Sequence, residues 1–311
     1  MTHAAFWRRP DWLDWLPVAV VAAGLIEPLA PLRAHGRFGT LPYVNLVMAG
    51  VAMVAVARAL ALRRRLLPPT SFDRVLLPLL VVSALGVLPP AHRAQALHDF
   101  GRCLLGVSVF YATATVASRR GGARRVWPAF PLAAAVVGAH ALASLAGGPG
   151  GVARQTRAAD QAWQCTGGLV ATLWCALPVS LALAWDAGEP GARRAWRIAA
   201  VVGVAGALVH VALGHPDAGA AVARLEDPVG FASLALSWVA LFMFARTAWR
   251  MSRLRPHESP RWRALSATFV LTGGLQLGMD VLAAPTAALL LGIGGGLAAG
   301  AWRAARSDIE R

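Results

Sequence analysis

The chain has 311 residues, of which 57% are hydrophobic and only 14% charged, and 30 basic residues against 15 acidic ones leave a formal net charge of +15. A soluble domain carries about a quarter charged residues, so the composition excludes an ordinary soluble enzyme and points to a chain built from membrane-crossing segments. Every basic residue is an arginine, and most sit in short breaks between apolar runs, so the charge reads as membrane orientation rather than as a nucleic-acid surface.

Apolar segments fall at 15–32, 43–62, 75–91, 99–118, 127–147, 164–185, 196–213, 229–247, 264–282 and 285–301. Crossing about 30 Å of hydrocarbon at about 1.5 Å per residue takes roughly 20 residues, a length these segments approach or reach. Arg8 and Arg9 ahead of the first run imitate a secretory leader. No small-residue cleavage motif closely follows, and Pro28 and Pro31 end the run, so the segment is read as the first span. The spans lack the alternation of barrel strands, and in lipid only helices or closed barrels satisfy the backbone. The expected fold is therefore all-α: a polytopic integral membrane protein of about ten transmembrane helices, forming one domain over 1–311.

Arginine sets the orientation. With the N-terminus inside, 23 of the 30 arginines fall in inner segments and 7 in outer ones, and the alternation holds at every break. Both termini are expected in the cytoplasm. Tryptophans agree: Trp127, Trp185, Trp249, Trp262 and Trp302 are among those near span ends, where amphipathic rings favour the interface. No five-plus-five internal repeat is visible.

The seven outer arginines, Arg33, Arg37, Arg93, Arg102, Arg154, Arg157 and Arg224, run against the orientation rule and are therefore informative. They share that side with His35, His92, His98, His140, His210 and His215. An anionic ligand would account for them, because the guanidinium fork matches phosphate oxygens. The plainer account is snorkelling and local ion pairs, such as Arg102 with Asp99 at i, i+3. Arg154, Arg157 and Arg224 stand out because they occupy the outer loops on either side of the two central spans. Neither His92 with His98 nor His210 with His215 has the i, i+4 spacing of a helical zinc site. Three cysteines (Cys103, Cys165 and Cys175) without CxxC spacing suggest neither a disulfide framework nor a metal. No metal or other cofactor is expected. Glu27 and Asp280 lie in or near spans, where an acid raises a functional question. The clusters Gly273–Gly274 and Gly294–Gly296 read as close helix packing.

The stretch FDRVLLPLLVVSALGVLPPAHRAQALHDFGRCLLGVSVFYATATVASRR (72–120) is similar to the front half of the O-antigen ligase/polymerase family. ARQTRAADQAWQCTGGLVATLWCALPVSLAL resembles that family's outer arginine-bearing loop and the span after it. RLEDPVGFASLALSWVALFMFARTAWR resembles the span following the large outer loop, and the segment from Ser259, with Asp280 and Pro285, resembles the closing pair of spans. The resemblance covers roughly 72–311 and implies a metal-independent membrane glycosyltransferase in a bacterial inner membrane. It would take glycan from a polyprenyl-diphosphate carrier at the outer face. It also implies substrate-binding roles for Arg154, Arg157 and Arg224. The family's large outer loop is reduced here to about GHPDAGAAVARLEDP, and no histidine falls near Leu225–Asp227, so the role of catalytic base passes to His215. An inactive relative that only binds the carrier is the corresponding alternative. Two further classes remain open. Ten spans with both ends inside suit a metabolite or drug transporter. Cys165-Thr166-Gly167, His210 and Glu226 are faintly similar to the series of an exosortase-like thiol peptidase.

Overall fold

The computed structural model describes residues 33–36, 39–42, 70–88, 93–119, 121–148, 168–186, 190–213, 228–276 and 285–309. Strands β1 (Arg33–Gly36) and β2 (Gly39–Pro42) pair antiparallel, Arg33 facing Pro42 and Gly36 facing Gly39. This hairpin, at the break between the first two apolar segments, is the one departure from helix among the described residues. The helices are α1 (Asp73–Leu85), α2 (Arg93–Ala117), the short α3 (Gly122–Val126), α4 (Ala129–Ser144), α5 (Gly168–Asp186), α6 (Pro190–Leu213), α7 (Pro228–Leu254), α8 (Ser259–Leu275) and α9 (Pro285–Ile309).

Among the described residues, five stretches are long and apolar enough to cross a membrane: Asp99–Ala117, Gly122–Gly147, Gly168–Asp186, Phe231–Leu254 and Ala287–Ser307. They coincide with five of the expected spans. Three other expected spans fall on helices that are shorter or begin with arginines: α1 has 13 residues, α8 has 17, and α6 carries Arg193, Arg194 and Arg197 in its first turns. The first two expected spans and both termini lie outside the described residues.

Proline sets several helix starts. Pro190, Pro228 and Pro285 are the first residues of α6, α7 and α9, where the missing N–H costs nothing and the ring fixes a helical φ. A local bridge precedes α1: the Thr70 N–H donates to the Asp73 carboxylate at 2.9 Å, the Thr70 hydroxyl also donates to it, and the Phe72 N–H donates to Thr70 Oγ1. Several buried hydroxyls are satisfied within their own helix. Thr172, Ser180 and Thr272 donate to the carbonyls of Gly168, Ala176 and Thr268 at 2.7–2.8 Å, so they carry no desolvation penalty in an apolar surrounding.

Helix α9 is the hub, touching α2, α5 and α7. Its run Gly292-Ile293-Gly294-Gly295-Gly296 lets these neighbours approach on several sides. Gly292, Gly296 and Gly300 form a stripe against α2, and a Cβ on each would lie 2.3–2.4 Å from the carbonyl oxygens of Gly106, Phe110 and Ala114 respectively. Both series rise by four, so α2 and α9 run parallel in a small-residue seam. On its other faces Gly295 receives the Phe244 ring, and Gly294 receives Leu265 and Phe269. Phe244 stacks on Phe110 at 5.5 Å and meets Phe72 and Phe269 at 5.0 and 5.3 Å. The packing role expected of Gly294–Gly296 is therefore observed.

Trp127 and Trp262 differ from the interfacial expectation. Both are fully buried and meet edge-to-face at 5.1 Å. Each sits close to the start of its helix, α4 or α8, and the two rings fill the space where those helix ends come together. Trp185 and Trp249 are exposed at the ends of α5 and α7, as expected of interfacial anchors.

Candidate functional site

Helices α4 and α6 carry the contact that positions the candidate site. Gly203 faces Ala134, and Gly206 faces Gly138 closely enough that a Cβ on Gly206 would lie 2.3 Å from the Gly138 Cα. The order rises on both helices, so they run parallel. Helix α5 ends at Asp186 and α6 begins at Pro190, which makes those two an antiparallel hairpin. The C-terminal ends of α4 and α6 and the N-terminal end of α5 thus emerge together.

Just beyond the glycine contact stand two histidines. His140 lies half-buried two residues after Gly138, and His210 is fully buried four residues after Gly206. Their imidazoles lie within electrostatic range of each other. Ser144, one turn further along α4, is buried and donates to the Ala141 carbonyl at 2.6 Å. A second buried polar line runs along α8 at Thr268, Thr272 and Gln276, spaced i, i+4, i+8, and meets α5 where Cys175 Sγ lies 3.6 Å from Thr272 Oγ1. No charged side chain of α4 or α5 enters this region; the single acid of α5, Asp186, caps the opposite end. Among the described residues, no three His, Cys, Asp or Glu side chains come together to hold a metal.

The four residues singled out from sequence, Arg154, Arg157, His215 and Arg224, lie outside the described residues, as do Cys165, Glu226, Glu27 and Asp280. The segment 149–167 joins α4 to α5, and 214–227 joins α6 to α7, so three of the four described helix ends flanking these residues belong to the converging trio. Of the remaining outer arginines, Arg102 is 7% exposed and pairs with Asp99 at 3.0 Å. The local ion pair read from the i, i+3 spacing is present.

Sequence reasoning considered His210 with His215 and passed over His140 with His210, because the latter pairing arises only from the α4–α6 contact. Small residues at 134, 138, 203 and 206 were the available signal. The α8 line was also missed, although polar residues four apart within an apolar segment mark one helix face. No protein-family model, no curated protein and no solved structure matches the chain.

Proposed function

We propose that the chain is a ten-span inner-membrane protein with both termini in the cytoplasm that binds, and in its active form transfers, glycan carried on a polyprenyl diphosphate at the outer face. The observation that supports this reading is the shared end of α4, α5 and α6, with half-buried His140 and fully buried His210 beneath it. The segments that begin or end there contain Arg154, Arg157, Arg224 and His215. The resemblance over 72–311 supplies the chemistry. An acceptor hydroxyl attacks the anomeric carbon, the bond from that carbon to the diphosphate oxygen breaks, and the lipid diphosphate leaves. Arg154, Arg157 and Arg224 would neutralise the leaving diphosphate in bidentate contacts, and His215 would accept the hydroxyl proton.

The test is thermal unfolding in nanodiscs with and without undecaprenyl diphosphate. A ligand at 100 times its Kd stabilises the folded state by about 2.7 kcal/mol. Wild type should gain stability, and Arg154→Ala, Arg157→Ala and Arg224→Ala should gain less. A wild type indifferent to the lipid would overturn the proposal.

The His140–His210 pair, with His210 fully buried, and the Thr268–Thr272–Gln276 line favour a second reading, a proton-coupled metabolite or drug transporter, because ionisable residues inside a helical bundle often line ion pathways. This reading expects proteoliposomes to dissipate an imposed pH gradient in the presence of the transported solute, and His210→Ala to abolish that flux.

A further inference from the structure

At the opposite end of the bundle, beside the turn from α7 to α8, the described side chains include arginines that no described carboxylate pairs with. Asp186 pairs with Arg261 at 2.7 Å. Glu258 pairs with Arg255 at 3.6 Å and accepts a hydrogen bond from Trp262 Nε1 at 3.2 Å. Asp73 is engaged by Thr70 and Tyr111. Each of these carboxylates is committed, and the exposed Arg253 and Arg263 form no ion pair with any described residue. Arg253 of α7 and Arg263 of α8 both lie over the exposed Trp249 ring, at 6.0 and 5.9 Å from its centroid. Arg250 lies 5.8 Å from the Trp302 centroid on α9.

We propose that Arg253 and Arg263, held from two helices against the Trp249 indole, form a headgroup site for an anionic phospholipid. Three features fit that ligand. The indole is half-exposed at the end of a membrane-length helix, where tryptophan sits at headgroup depth. The guanidiniums are partly restrained by the ring, so less rotamer freedom is lost when they engage phosphate oxygens. Asp186 and Glu258, the acids whose side chains are described beside the α7–α8 turn, are already paired with Arg261 and Arg255. Exposed Phe242 and Trp238, on the same face of α7 as Trp249 and further into the apolar stretch, continue the apolar surface away from the site along the path an acyl chain would take. The proposal is independent of the glycan-carrier reading, which concerns the other end of the bundle.

The experiment compares purified wild type with an Arg253→Gln/Arg263→Gln double variant by native mass spectrometry and thermal shift in detergent. The probes are phosphatidylglycerol, phosphatidylcholine and inorganic phosphate. An Arg194→Gln/Arg197→Gln variant, which removes two exposed arginines from the start of α6, controls for surface charge alone. The expected result is retained phosphatidylglycerol and a rise in Tm for wild type and control, with affinity falling about tenfold in the double variant. Phosphatidylcholine and inorganic phosphate should produce neither effect. An Arg253→Lys/Arg263→Lys variant, which keeps the charge and removes the fork, should fall between the two. Equal losses in the α6 control would overturn the site in favour of general surface potential. An equal Tm rise with inorganic phosphate would overturn the lipid as the ligand.

Discussion

Replacing Gly296 by alanine places a methyl group where α2 and α9 are closest. The new Cβ would lie 2.3 Å from the Phe110 carbonyl oxygen, 2.8 Å from Thr113 Cβ and 3.0 Å from the Ala114 nitrogen, whereas ordinary contact begins at 3.4 Å. Two of these neighbours are backbone atoms inside a helix and cannot rotate away. The helices must part by roughly 1 Å, a gap that forfeits a quarter to a half of the dispersion energy of each atom pair along the seam. Overpacking of this kind costs about 1–3 kcal/mol, set against a gain of up to about 1 kcal/mol from replacing glycine within a helix. Gly273→Ala is the matched control, because no described atom lies within 4 Å of its Cβ position; there only the helix gain operates. Reversible unfolding in mixed micelles with increasing dodecyl sulfate would measure both. Gly296→Ala should lower stability and Gly273→Ala should leave it level or raise it. If the two variants behave alike, the α2–α9 contact is not what holds the last helix in place.

Two other perturbations probe the charged end. Arg261→Ala removes a largely buried guanidinium whose Nε lies 2.7 Å from Asp186 Oδ2 and whose Nη2 donates to the Asp186 carbonyl at 3.2 Å; leaving Asp186 without its partner should cost about 1–3 kcal/mol in the same unfolding assay, and a change below a few tenths would show that solvent replaces the arginine. Asp73 lies outside the membrane-length helices, and burial alone would raise its carboxyl, but hydrogen bonds from Thr70 and Tyr111 and the charge of Arg303 together hold it below its ordinary 3.8. A lowered folded-state value contributes stability above the unfolded value that disappears as pH falls through the folded one. Wild-type Tm should therefore drop as pH is taken below 3.8, and Asp73→Asn should flatten that part of the profile; parallel curves for the two proteins would refute the linkage.

What was legible in the sequence was what depends on local pattern. Five of the expected apolar runs appear as membrane-length helices among the described residues, and the Asp99–Arg102 pair is present as its spacing implied. The tryptophans show where local reading stops. Trp127 and Trp249 occupy similar positions relative to their spans, yet one is buried against Trp262 and the other stands exposed under two arginines. Span-end position gives depth in the bilayer but not azimuth around the bundle, and azimuth is settled by which helix lies alongside.

The same distinction governs the two ends of the molecule. At the arginine-rich end, charges were assigned to topology as a group, and that explanation treats them as equivalent. The structure separates them: Arg255 and Arg261 have carboxylates, while Arg253 and Arg263 share an indole and have none. An orientation signal needs only the count of positive charges, so it leaves their individual placement free for other work. At the opposite end, helix packing rather than charge count brings the polar groups together. His140 and His210 reach the same helix ends because glycines at 138, 203 and 206 bring α4 and α6 together. Gly138→Leu would force that contact apart while leaving Arg154, Arg157, His215 and Arg224 chemically intact. It therefore separates a site assembled by helix packing from one made by the connecting segments alone. Loss of undecaprenyl-diphosphate stabilisation in a variant that still folds would assign the site to the packed helices, and retention would assign it to the segments.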